Sequence, residues 1–208
     1  MTAADAAIAS LKTTLIESVV DTLAAGESVR LQVHVFDESY SGRDYPGQPY
    51  AGHITCKDYP HGDAAIAAIA QMGTIAGALG STRLLAVWEE YDLRTSVLGP
   101  DEAYPGVPRG VALLDVTDDG HELSWHPFRI GAPLELTQGS GREIDLSWGQ
   151  PSVHPNAALG PGVSELVRSW QAIVRVGNHQ FGEVWAAWAQ HLLSMAADAG
   201  YQIRPVRR

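Results

Sequence analysis

Between Asp63 and Arg83 the chain carries no formal charge: residues 64–82 read AAIAAIAQMGTIAGALGST. In a chain with 24 acidic and 14 basic residues, a run of this length belongs out of water. Its length and its Gly73-x-x-x-Gly77 spacing are those of a membrane span. Its large apolar residues, however, are only Ile66, Ile69, Met72, Ile75 and Leu79, diluted by Ala, Gly, Thr and Gln. The run therefore predicts a buried core helix, with Asp63 as its N-cap and Gly80 near a left-handed C-cap. Gly73 and Gly77 each cost about 1 kcal/mol in helix propensity, which close backbone packing against a sheet would offset. Directly afterwards, residues 83–91 have strand character, so the helix should feed a central strand.

The flanking segments extend this to an α+β fold. Ile8, Leu11, Leu15, Val19 and Leu23 lie on one stripe of a first helix over residues 3–24, which Gly26 ends. Over residues 28–36, Val29, Leu31, Val33 and Val35 alternate with Arg30, Gln32 and His34, so one strand face should be buried and the other polar. Residues 50–59 make a second strand, 111–116 a fourth and 121–125 a fifth, the last two joined by an Asp119-Gly120 turn. Residues 134–148 suggest another hairpin, whereas 94–109 and 150–162 read as loops. Two helices follow, over 164–176 and 179–199, expected as an antiparallel pair, and the tail is expected to fray. The predicted fold is a mixed, largely antiparallel sheet of five or more strands. The Ala/Gly-rich helix lies on one face, flanked by N- and C-terminal helices. The chain is expected to be one domain over residues 1–208, with a sub-boundary near 150–163.

Composition narrows the function classes. A net charge of −10 repels phosphate backbones, which argues against nucleic-acid binding through a basic face. Cys56 is alone, so neither an internal disulfide nor a cysteine zinc site is expected. The opening residues MTAADAAIAS lack a basic segment followed by an apolar one, so a reducing cytoplasm is the expected compartment. No phosphate loop, dinucleotide fingerprint, nucleophile elbow or His-Glu-x-x-His pattern occurs.

Three residue groups could carry chemistry or contacts. His53, Asp58, His61 and Asp63 offer imidazoles and carboxylates of the type that hold a divalent metal, the one cofactor the sequence suggests. Glu89, Glu90 and Asp92 at the end of the third strand, with Glu90 and Asp92 on one face and Glu89 on the other, could join Asp37 and Glu38 of the first strand as acid, base or cation ligands. Trp185 and Trp188 share a helical stripe that is either core or an oligomer contact, since tryptophan is enriched at contact centres. Tyr40, Tyr45 and Tyr50, in and beside the loop at 39–49, form a second contact candidate.

The segments Leu84-Leu85-Ala86-Val87-Trp88-Glu89-Glu90 and Arg109-Gly110-Val111-Ala112-Leu113-Leu114-Asp115-Val116, with Pro100-Asp101-Glu102 between them, resemble a layout seen in small bacterial and phage proteins of unassigned activity. The resemblance implies no reaction. The expected function is a non-catalytic binding or assembly protein with a protein partner or a second copy of itself, a class that includes phage and prophage accessory proteins. The alternative is a metal-assisted hydrolase using the strand-end carboxylates and nearby histidines.

Overall fold

The computed structural model describes residues 3–37, 49–59, 61–99, 109–134, 143–177 and 182–205. Among these the elements run α1 (Ala3–Ala24), β1 (Gln32–Phe36), β2 (Tyr50–Thr55), α2 (Asp63–Ala78), β3 (Arg83–Glu89), α3 (Glu90–Leu98), β4 (Gly110–Val116), β5 (His121–Leu134), β6 (Glu143–Trp148), β7 (Ser152–Pro155), α4 (Pro161–Gly177), α5 (Gly182–Asp198) and β8 (Gln202–Pro205). The fold is α+β, as expected, with an eight-stranded sheet in the order β6-β5-β4-β3-β1-β2-β8. Every described pairing is antiparallel, and β7 lies beside the first half of β5 while β6 lies beside the second.

β3 occupies the middle of the sheet because it can be buried on both faces: Leu84, Leu85, Ala86, Val87 and Trp88 are all buried. Leu84, Ala86 and Trp88 face a helical layer of α2, α3, α4 and α5, while Leu85 and Val87 face α1. The polar face predicted for β1 is thus covered as well, and His34 is buried with it. α1 is fastened there by ions. Arg83 donates Nε and Nη2 to the two carboxylate oxygens of Asp115 at 2.8 and 3.0 Å, and Nη1 to Asp5 at 2.9 Å. Lys12 of α1 stands 3.0 Å from the same Asp115. Burial alone would raise the Asp115 pKa, but the hydrogen bonds and charges of Arg83 and Lys12 hold it below the usual carboxylate range.

α2 is the core helix anticipated, with Ile69, Met72 and Ile75 fully buried. Its glycines serve a different contact from the one expected. A Cβ at Gly73 would overlap the Leu166 carbonyl oxygen and stand 2.9 Å from the Trp170 nitrogen; at Gly77 it would collide with the Ile173 side chain. The small-residue stripe therefore seats α4, while the larger side chains meet the sheet. Trp170 crosses back to donate to Ser81 Oγ at 2.7 Å, and Ser81 donates to the Ala76 carbonyl at 2.8 Å. α5 also packs on α2, so α4 and α5 are joined through α2 more than paired with each other.

Several boundaries differ from expectation. Gly62, not Asp63, is the N-cap of α2, with a φ of 74° and no side-chain cap; Asp63 lies in the first turn. Gly80 does close the helix, with φ 75° and its N–H on the Gly77 carbonyl at 3.0 Å. The third strand stops at Glu89, and α3 replaces its predicted end and the first residues, 94–98, of the expected loop. Loop residues 152–155 form β7, and the expected frayed tail is strand β8 paired with β2. Among the described residues no helix is long and apolar enough to cross a membrane.

Replacing Gly73 by Ala tests the α2–α4 contact. Propensity alone favours Ala by about 1 kcal/mol. The overlap with the α4 backbone should reverse this and destabilise the protein by roughly 2 kcal/mol or more, read as a lower urea midpoint.

Candidate functional site

The sequence-derived carboxylates do not converge. Because β1 and β3 are antiparallel, with Phe36 opposite Arg83 and Gln32 opposite Val87, Asp37 and Glu90 lie at opposite ends of these strands. Asp37 is buried just past β1, its N–H bonded to the Pro49 carbonyl. Glu90 and Asp92 sit in the first turn of α3, so the common strand face expected for them does not exist. Glu90 instead accepts from Trp88 Nε1 at 2.9 Å and from Arg94 Nε at 2.7 Å. Glu38, Tyr40 and Tyr45 lie outside the described residues. Glu89, expected on the opposite face from Glu90 and Asp92, is the buried carboxyl of this group. Burial raises its pKa, offset in part by a backbone hydrogen bond at Val29 and the charge of Arg109, while Asp92 adds to the rise.

The four metal candidates are likewise divided by the sheet. His53 points to the α1 side, where it meets Tyr50 and His34. Asp58 pairs with Arg30 at 2.8 Å, and both are exposed. His61 and Asp63 stand at the start of α2 on the other side, with His61 Nδ1 3.3 Å from the Ser96 carbonyl. Among the described residues no group of three or more His, Cys, Asp or Glu is arranged to hold a metal ion.

Alternation alone assigns His34 to solvent, yet it is buried, and Tyr50 of the expected contact loop meets it. The Tyr50 hydroxyl lies 3.1 Å from His34 Nδ1 and 3.4 Å from His53 Nδ1. His34 is 5% exposed and its Nε2 bonds to no described residue. Burial, with the neighbouring His53, lowers the His34 pKa to about 4. Burial and Arg204 lower that of His53. The cluster keeps its imidazoles packed on the α1 side of the sheet, where their burial bears on stability.

The tryptophan candidates lead to a surface. α5 carries two adjacent stripes. Ala189 and Ala196 turn inward and are buried, with Trp185 and Leu192 partly covered beside them. Val184, Trp188, His191 and Met195, at spacings of four, three and four, share the outward stripe. Val184 is 72%, Trp188 37% and Met195 59% exposed. The Trp185 and Trp188 rings lie with centroids 4.7 Å apart, so the inner ring braces the outer one. Beside this ridge runs a groove of about 590 Å³ between α2 and α5, floored by Ala64, Ala67 and Ala68 and closed at one end by Tyr201. Tyr201 is pinned there by its hydroxyl bond to the Ala68 carbonyl at 2.8 Å, and Lys57 lies over its ring at 5.3 Å. No residue from 184 to 197 is Asp, Glu, Lys or Arg. The result is a bulky ridge beside a shallow, small-residue trough, both uncharged apart from Lys57 at the rim.

No protein-family model matches this chain significantly, and no curated protein or solved structure does so either.

The histidine cluster sets an acid limit. The folded-state pKa of His34 lies below its ordinary 6.5, so the unfolded chain binds the proton first as pH falls. Stability should be unaffected by His34 above about pH 6.5 and decline from there to about pH 4, by roughly 3 kcal/mol in all. Urea titrations across that interval should show the decline, and His34→Gln should flatten it.

Proposed function

We propose that this chain is a binding and assembly protein, and that the outward face of α5 with its adjoining groove joins it to a second copy of itself. The observation that carries this is the uncharged helix face of residues 184–197 in a chain of net charge −10. Two acidic molecules repel through most of their surfaces, and this face lets them meet without placing carboxylates together. Ridge and groove lie side by side on one surface, which is the requirement of a two-fold contact: each ridge enters the partner's groove, and each groove receives a ridge. Trp188 lies on the ridge, where a large rigid aromatic contributes most to a desolvated contact.

Analytical ultracentrifugation of the full chain over a concentration series is the test. The expected result is a dimer that Trp188→Glu dissociates, weakening association by roughly 100-fold, while the unfolding midpoint of the dilute monomer stays put. A chain that sediments as a monomer at every concentration, or a dimer indifferent to the substitution, overturns the proposal.

A further inference from the structure

At the opposite edge of the helical layer, α3 stands over β4 and β5 and encloses a cavity of about 510 Å³ with the segment 158–163. Trp88, Ala112, Leu123 and Trp125 form its floor, and Leu93 and Val97 one wall. Its formally charged side chains are Glu90 and Arg94, one turn apart on α3, and His154 of β7, held by Ser152 at 2.8 Å, is the other polar side chain that lines it. Trp88 Nε1 fixes Glu90, and Glu90 in turn holds Arg94 through Nε. Both carboxylate oxygens thus have donors, whereas Nη1 and Nη2 of Arg94 bond to no described residue. The side chain of Arg94 is 50% exposed and that of Glu90 22%, so the guanidinium is the more accessible of the two. A surface ion pair on a helix ordinarily contributes little. This one is braced by a buried indole and stands at the mouth of an apolar chamber.

We propose that this cavity binds a small amphipathic monocarboxylate, its alkyl or aryl body on the two indoles and its carboxylate on the free edge of Arg94. The volume falls within the range of small-molecule sites, and an apolar chamber with a few convergent polar groups is their usual composition. The head group follows from the donor count. Arg94 offers unused N–H groups in a planar fork that fits a carboxylate, while Glu90 has its oxygens engaged. An ammonium head would have to compete with Arg94 for Glu90; a carboxylate head takes up donors that face solvent and bond to no described residue. The site is separate from the α5 face and stands whether or not the chain dimerises.

Octanoate, octan-1-ol and octylamine serve as probes for calorimetric titration, with the indole N–H resonances of Trp88 and Trp125 as position markers, assigned through Trp88→Phe and Trp125→Phe. Octanoate should bind most tightly and octylamine at least roughly 10-fold more weakly, with shifts at both indoles. Arg94→Gln should weaken octanoate by about 10-fold, to the level of octan-1-ol, and leave octan-1-ol unchanged. Glu90→Gln, which removes the one carboxylate near the head group, should tighten octanoate. Each variant is first checked for an unaltered unfolding midpoint. Failure of octanoate to bind the wild-type chain, equal binding by wild type and Arg94→Gln, preference for octylamine, or shifts confined to Trp185 and Trp188 overturns the proposal.

Discussion

Where α2 crosses α4, the Gly73 position has no room for even a methyl group against the Leu166 carbonyl. The rest of the helical layer follows from that approach. With α4 seated so closely, Trp170 reaches across to Ser81 just beyond the C-terminus of α2, and its indole N–H finds a partner in an otherwise apolar interior. α2 then presents Ile69, Met72 and Ile75 to β1, β3 and their neighbours. A helix pair drawn this close cannot by itself cover an eight-stranded sheet. The two flanks are left to shorter contacts: α5 with Tyr201 toward β8, α3 toward β5 and β7. Both cavities described above lie at those flanks.

The other face of the sheet is closed by different chemistry. α1 brings Ile8, Val19 and Leu23 onto Leu85, Leu113 and Phe128, but beside this apolar patch Arg83 and Asp115 are already out of water. Lys12 and Asp5 complete them. Buried ion pairs add little net stability over an apolar equivalent, yet losing one partner is costly because the other remains desolvated. The network therefore acts more on placement than on strength: α1 slid by one turn would carry Lys12 away from Asp115 and Asp5 away from Arg83, while the Arg83–Asp115 pair stays on the sheet.

The helices and the central strands were legible in the sequence because each carries its own periodicity; α1 and α2 run as predicted, and β3 and β4 need only their continuous apolar runs. What escaped was set by distant partners. β7 and β8 are four-residue edge strands that exist only because β5 and β2 present free backbone groups to them. α3 carried a local signal that was overlooked, acidic residues in its first turn and the Glu90–Arg94 spacing, masked by the apolar strand running into it. The glycines of α2 announced a close backbone approach but not which neighbour would make it. The carboxylate grouping failed for a topological reason: antiparallel pairing sends the end of β1 and the end of β3 in opposite directions. The tryptophan pair of α5 was visible as a stripe, while its outward turn depended on which stripe the alanines would occupy.

That last choice has an energetic side. The inward stripe of α5 includes Ala189 and Ala196, which bury little apolar area, whereas Val184, Trp188 and Met195 point outward. A helix of this length is marginal in water on propensity alone and takes its stability from the face it buries. Complete burial of a large apolar side chain is worth about 1.5–3 kcal/mol. Within a single copy α5 thus buries Ala189 and Ala196, rests Leu192 and Leu193 partly against the core, and leaves Val184 and Met195 largely in solvent. Covering the outward stripe with a second α5, as proposed, would add chiefly Val184 and Met195, with the exposed edge of Trp188, to what this helix buries. On these grounds the proposed second copy would add to the burial of α5 without disturbing the face it already lays on α2.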